Sequence, residues 1–238
     1  MRLLLISNST NAGEAYLDYP KMNIRDFLGT KKVTALFIPY AAVTFSYDDY
    51  EKKVQERFRE VGHDVISIHR FSDPVKAVSE ATAIVVGGGN TWMLLRCLID
   101  NKLIAPVRKK VRSGTPYIGW SAGSNVVCPT IRTTNDMPVT EPSSFRGFNL
   151  IPFQINPHYL DANPAGHAGE TREQRIQEFI EVNPDIFVAG LREGTMFIAD
   201  GKKLSLIGPR KARIFIRGSE PFEVSPGDDI SFLLSRKK

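Results

Sequence analysis

Cysteine is nearly absent: Cys97 and Cys128 are the only two in 238 residues, each inside an apolar stretch. Two isolated thiols cannot lay out a disulfide framework, which points to a reducing compartment and to a cytoplasmic protein. Histidine is scarce as well, with four isolated residues. Together with the distant cysteines they offer no zinc spacing, so neither a metal nor another cofactor is expected. No run approaches about 18 uninterrupted apolar residues, which argues against a bilayer span. The opening Met1-Arg2-Leu3-Leu4-Leu5-Ile6-Ser7 is too short for the apolar part of a signal peptide and reads as a buried strand. Long blocks of one charge are missing too. Thirty-one Lys+Arg against 26 Asp+Glu leave +5, but Lys31-Lys32, Arg108-Lys109-Lys110 and Arg236-Lys237-Lys238 are short and scattered. Neither a nucleic-acid nor a membrane partner follows from such a surface, and a small acidic substrate suits the basic excess better. A monomer and a homodimer both fit.

What is present is ordinary for a folded domain: 42% hydrophobic and 24% charged residues. A single domain over 1–238 is expected, with no linker or repeat to divide it. Short apolar runs at 3–7, 33–39, 64–69, 83–86 and 116–120 read as strands alternating with helical patterns. Tyr47, Tyr50, Val54, Phe58 and Val61 recur at helical spacing. Asp73-Pro74 reads as a helix cap followed by proline at the first helical position, and Asn90 as the cap of a helix over 91–99. That alternation predicts an α/β fold: a mostly parallel sheet with helices on both faces. Residues 129–150, rich in proline and small polar residues, form a long loop of the kind that carries function. A strand at 153–156, a helix over 170–182 and short strands at 186–191, 195–199, 203–207 and 213–217 follow, with Asp200-Gly201 as a hairpin signal. The C-terminal part is therefore expected to be rich in antiparallel β structure.

The most specific local signal is Gly119-Trp120-Ser121-Ala122-Gly123, a G-x-S-x-G between a strand and a helix. Small residues there permit a tight turn that lifts the serine hydroxyl clear of the sheet edge. A serine needs a base, and among the histidines His158 stands just past a predicted strand end, where open α/β sheets gather their sites. His63 and His69 flank another strand and read as solvated or core-edge residues; His167 lies in a glycine-bearing stretch suited to a lid. The orienting acid stays open between Glu193, at a strand end before Gly194, and Asp136, in the long loop. If Glu193 is the acid, the chain order serine, histidine, acid departs from the usual α/β-hydrolase order. Ala122, the residue after the nucleophile, is the expected oxyanion donor. Gly87-Gly88-Gly89-Asn90 offers a second at Gly88 or Gly89, and it fits no nucleotide fingerprint.

Five blocks resemble the peptidase E family of α-aspartyl dipeptidases. They run 85–91 (Val-Val-Gly-Gly-Gly-Asn-Thr), 117–123, 129–138 (Pro-Thr-Ile-Arg-Thr-Thr-Asn-Asp-Met-Pro), 154–158 (Gln-Ile-Asn-Pro-His) and 169–175 (Gly-Glu-Thr-Arg-Glu-Gln-Arg). The resemblance covers the chain from its opening to about residue 208. It implies a fold related to class I glutamine amidotransferases and a serine peptidase cleaving dipeptides with aspartate at the amino end. It also implies a triad of Ser121, His158 and Glu193, with Arg172 on the substrate's aspartyl carboxylate. Asp136 is counted with Arg172 as substrate-binding; Arg132 is a further candidate, and Arg175 reads as a packing or capping residue. Three alternatives stand beside this. A cyanophycinase-like hydrolase should lack the Thr-Arg-Glu-Gln-Arg block, a general esterase needs an acid between serine and histidine, and a non-catalytic amidotransferase-like binding module should lose triad members.

Overall fold

The structure is a computed structural model and describes residues 1–235 apart from Pro164 and His167. The lid suggestion for His167 and the basic cluster at 236–238 lie outside the described residues. In β1 (Arg2–Ile6) alternate side chains face opposite ways, and both faces are buried: Leu3 and Leu5 join one apolar cluster, Leu4 and Ile6 another. Burial on both faces is what a continuous apolar run demands, and it makes this the core of a covered sheet. The chain continues through α1 (Lys21–Leu28), β2 (Thr34–Ile38), α2 (Tyr47–Glu60), β3 (Asp64–Ser67), α3 (Pro74–Glu80) and β4 (Ile84–Val86). It then runs through α4 (Thr91–Asp100), α5 (Ile104–Arg112), β5 (Tyr117–Trp120) and the short α6 (Ala122–Asn125). After the long loop come β6 (Gln154–Pro157), α7 (Arg172–Val182) and β7 (Val188–Leu191). The strands β8 (Met196–Asp200), β9 (Lys203–Ile207), β10 (Ala212–Phe215) and β11 (Phe222–Val224) complete the order.

Seven strands form the main sheet in the order β3-β2-β4-β5-β1-β8-β9; the first five are parallel, and β8 and β9 join antiparallel. Ile24 and Phe27 of α1 and Tyr50, Val54 and Phe58 of α2 cover one face. Leu94, Leu95 and Leu98 of α4 and Val107 and Val111 of α5 cover the other. A second sheet, β11-β10-β7-β6, also packs on that other face through Ile155, Ala189, Leu191 and Ile214, while α7 closes its far side with Ile176 and Ile180. The expected mostly parallel sheet with helices on both faces and an antiparallel C-terminal part is thus present, with one difference of topology. The strand before His158 does not extend the main sheet: β6 pairs in parallel with β7 in the second one.

Both expected caps are in place, with Asp73 accepting from Lys76 N–H and Asn90 from Met93 N–H. The strand expected over 64–69 stops at Ser67, because Ile68–Arg70 turns into a single 3-10 turn. No described helix is long and apolar enough to cross a membrane.

Candidate active site

The carboxyl ends of β1, β4 and β5 meet at one edge of the main sheet, which puts Ser7, Gly87–Gly89 and Ser121 side by side. At the end of β5 the chain turns so sharply that Ser121 takes φ 52° and ψ −112°, a conformation costing a non-glycine residue about 1–3 kcal/mol. Its surroundings impose it. Ser121 N–H donates to Ile6 O at 3.0 Å, its carbonyl accepts from Ser124 and Asn125, and the Ser124 hydroxyl donates to Ile6 O and Gly119 O. The following helix can come this close only because residue 123 is glycine, where a Cβ would collide with Val86 O.

His158 stands at the end of β6, also at positive φ (53°). Its N–H donates to the Ser7 hydroxyl at 3.0 Å, and that hydroxyl donates to Leu191 O at 2.7 Å. The main sheet thereby holds the second sheet's histidine in place. The imidazole Nε2 lies 3.0 Å from Ser121 Oγ and Nδ1 lies 2.7 Å from Glu193 Oε1. Glu193 sits in the turn between β7 and β8, and that turn is fixed on both flanks. Gly194 N–H donates to Asn8 Oδ1 at 2.9 Å, and Arg192 binds Asp161 and Glu223. Serine, imidazole and carboxylate are therefore brought into one hydrogen-bonded series from three separate elements.

The glycine loop after β4 faces the same hydroxyl. The Tyr50 hydroxyl donates to Gly88 O at 2.9 Å and accepts from Trp120 Nε1 at 3.2 Å. In a trans peptide the carbonyl and the next N–H point opposite ways, so anchoring Gly88 O aims the Gly89 N–H away from Tyr50. Gly89 has φ 130°, and a Cβ there would strike Ala41 O, so only glycine fits. Among the described residues, the N–H groups of Gly88, Gly89 and Ala122 have no protein acceptor. Gly88, Gly89, Ser121 and His158 line one cleft of about 580 Å³, whose other walls include Tyr16, Phe45, Tyr50, Lys53 and Trp120.

The remaining candidates fall elsewhere. The Asp136 carboxylate accepts from Thr91 N–H (2.8 Å), the Thr91 hydroxyl (2.5 Å) and the Thr134 hydroxyl (3.0 Å), at the start of α4. It does not bond His158, whose Nδ1 is paired with Glu193 instead. Arg172 opens α7 half-buried and does not line the Ser121 cleft. Burial and the nearby Arg175 push its guanidinium below the usual arginine range, and Asp136 opposes them. Arg132 belongs to a different cleft of about 760 Å³, with Arg108 and Arg146, where it lies over the Phe145 ring. Like Arg172, it does not line the Ser121 cleft. Arg175 pairs with Glu170 at 3.6 Å on the surface.

His63 is buried away from the site and accepts from Val33 N–H, and burial pushes its pKa down. His69 joins Asp48 and Glu51 with ligand atoms within 4.8 Å of one another, a grouping the sequence spacing hid. Arg70 binds both carboxylates there and Ser67 Oγ bonds His69 Nδ1, so the cluster is satisfied as an ion-pair network. Sequence reasoning missed the part that Ser7, Asn8 and Tyr50 play in holding the site. For Ser7 and Asn8 the available signal was position, at the carboxyl end of the first strand.

A strained serine at a strand-to-helix turn, paired with an imidazole and a carboxylate beside free backbone N–H groups, defines the class of serine hydrolases. Comparison with known proteins narrows that class. Residues 3–207 match the family described as Peptidase family S51. The chain is 52% identical to a Peptidase E of Nostoc sp. over 99% of its own length and 97% of that protein's. It is 45% identical to a Peptidase E of Salmonella paratyphi A over 95% and 99%. Its fold is similar to the crystal structure of a peptidase from an acI-B1 Actinobacterium, with TM-score 0.71 and 19% identity, covering 97% of this chain and 96% of the other. The chain belongs to peptidase family S51, which bears out the expectation of a serine dipeptidase.

Proposed function

We propose that the protein hydrolyses Asp-X dipeptides through an aspartyl acyl-enzyme on Ser121. The observation that carries this reading is the unbroken series from Ser121 Oγ through His158 to Glu193, at 3.0 and 2.7 Å. His158 Nε2 takes the hydroxyl proton as Ser121 Oγ attacks the aspartyl carbonyl, and Glu193 holds the ring and stabilises the imidazolium. The N–H groups of Ala122 and of Gly88 or Gly89 receive the oxyanion. His158 returns the proton to the departing amine of X, and water then releases aspartate by the same steps in reverse. Arg172 takes the substrate's side-chain carboxylate with its two-point fork, and Asp136 is counted with it on the substrate side. On this reading the enzyme needs no cofactor. It works in the cytoplasm as one domain over 1–238, a monomer or homodimer whose partner is a small acidic dipeptide.

Product analysis on Asp-Leu and Asn-Leu tests the proposal. Wild type is expected to release free aspartate from Asp-Leu and to cleave Asn-Leu far more slowly, because the amide keeps the shape and removes the charge. Ser121→Ala should fold normally and lose on the order of 10⁴-fold or more in kcat. Arg172→Ala should lose most of the Asp-over-Asn preference. Turnover by a folded Ser121→Ala protein would defeat the serine mechanism, and equal wild-type rates on the two peptides would defeat the substrate assignment.

A further inference from the structure

We propose that Lys53 binds the free α-carboxylate of the leaving residue X, so that the cleft recognises a dipeptide by its C-terminus. The proposal rests on the Asp-X reading above and adds to it a determinant on the other side of the scissile bond.

An Asp-X dipeptide carries two carboxylates, one on the aspartyl side chain and one at the end of X, with the scissile carbonyl between them. On the Asp-X reading Arg172, at the start of α7, takes the aspartyl side chain. Lys53 stands on α2 and lines the cleft that contains Ser121 and His158. With Arg172 taking the acyl side, the carboxylate left over belongs to the leaving side, and Lys53 is the cation that the cleft presents to it.

The state of Lys53 fits that task. It is exposed, and it makes no salt bridge among the described residues. Asp49, one turn earlier on α2 and also in the cleft, accepts from the Ser46 hydroxyl at 2.6 Å and forms no salt bridge with Lys53. Lys53 Nζ sits 4.1 Å from the centre of the Tyr16 ring. That contact steadies the ammonium at the cleft wall and leaves its N–H donors unspent. Beside it, Phe45, Tyr16 and Trp120 give the cleft an aromatic lining suited to an apolar side chain on X.

The test compares kcat/KM for Asp-Leu and for Asp-Leu carboxamide, with Asn-Leu as a third substrate, on wild type, Lys53→Met and Lys53→Arg. Wild type should prefer the free acid by roughly 10- to 100-fold, the size of one charge-assisted hydrogen bond in a cleft. In Lys53→Met that preference should collapse toward unity through a rise in KM for Asp-Leu, and Lys53→Arg should keep most of it. An unchanged preference in Lys53→Met, or an equal loss on both Asp-Leu substrates, would overturn the proposal while leaving the Asp-X reading intact. Loss of the Asp-over-Asn preference instead would assign Lys53 to the side-chain carboxylate and also overturn it. Wild type that cleaves none of the three would remove the dipeptidase reading and this proposal together.

Discussion

Two of the three residues in the proposed triad, Ser121 and His158, hold backbone conformations that their side chains do not favour. The strain at each is local, and the hydrogen bonds that enforce it reach into the main sheet through Ile6 and Ser7. Ser121 was legible because a G-x-S-x-G between a strand and a helix has few other uses, and His158 because it follows a strand end. Glu193 was not legible from spacing, since a glutamate before glycine is ordinarily a solvated turn residue. It required the resemblance, and the structure supplies the reason: Asn8, 186 residues away, holds the turn that presents it. Asp136 looked comparable in sequence, yet its carboxylate is spent on Thr91 and Thr134. Glu193→Gln is therefore expected to lower kcat by more than tenfold, because an amide cannot stabilise the imidazolium as a carboxylate does. Asp136→Asn should cost less in kcat and show more in KM, since its connection to the site runs through Arg172 and the start of α4. Steady-state kinetics on Asp-Leu decide between them, and a larger kcat loss in Asp136→Asn would reverse the assignment.

At the level of elements, α2 does more than its pattern announced. The spacing of Tyr50, Val54 and Phe58 placed that face inward, and all three are buried. Periodicity reports the ring of a tyrosine, though, and says nothing of where its hydroxyl goes. Tyr50 Oη reaches Gly88 O and so sets the plane of the Gly88–Gly89 peptide. Tyr50→Phe removes that anchor and keeps the aromatic bulk against Phe37, whose ring centre lies 5.0 Å away. We expect kcat to fall by about tenfold with KM nearly unchanged, as for a group that only positions an oxyanion donor. An unchanged kcat would show that the glycine loop holds its shape without the tyrosine. Other elements escaped the sequence for plain reasons. Neither α1 nor α5 has a side-chain cap, and α5 carries Pro106 in its first turn. Strand β11 is three residues long, with two of them exposed at a sheet edge.

Across the whole molecule the site belongs to two sheets, and this could not be read from the chain. The segment 153–156, with Phe153 and Ile155 alternating with Gln154 and Asn156, announces a strand without saying which sheet receives it. The consequence is a junction: Ser121 comes from the main sheet, His158 and the turn bearing Glu193 from the second, and the distance between them depends on how the sheets are tied. Ser7 ties them directly, donating to Leu191 O and accepting from His158 N–H while itself fully buried. Ser7→Ala leaves the His158 N–H without its acceptor, at a cost of about 1–3 kcal/mol, while Leu191 O keeps the Tyr159 N–H at 3.1 Å. A lower Tm is therefore expected. A purely structural role would stop there, but loosening His158 should also lengthen its reach to Ser121 Oγ and reduce kcat at temperatures where the variant is still fully folded. Thermal unfolding and kcat on Asp-Leu, measured well below the variant's Tm, separate the two effects. A variant with lowered Tm and wild-type kcat would mean that the packing of the second sheet on the main one, through Ile155 and Leu191, aligns His158 without Ser7.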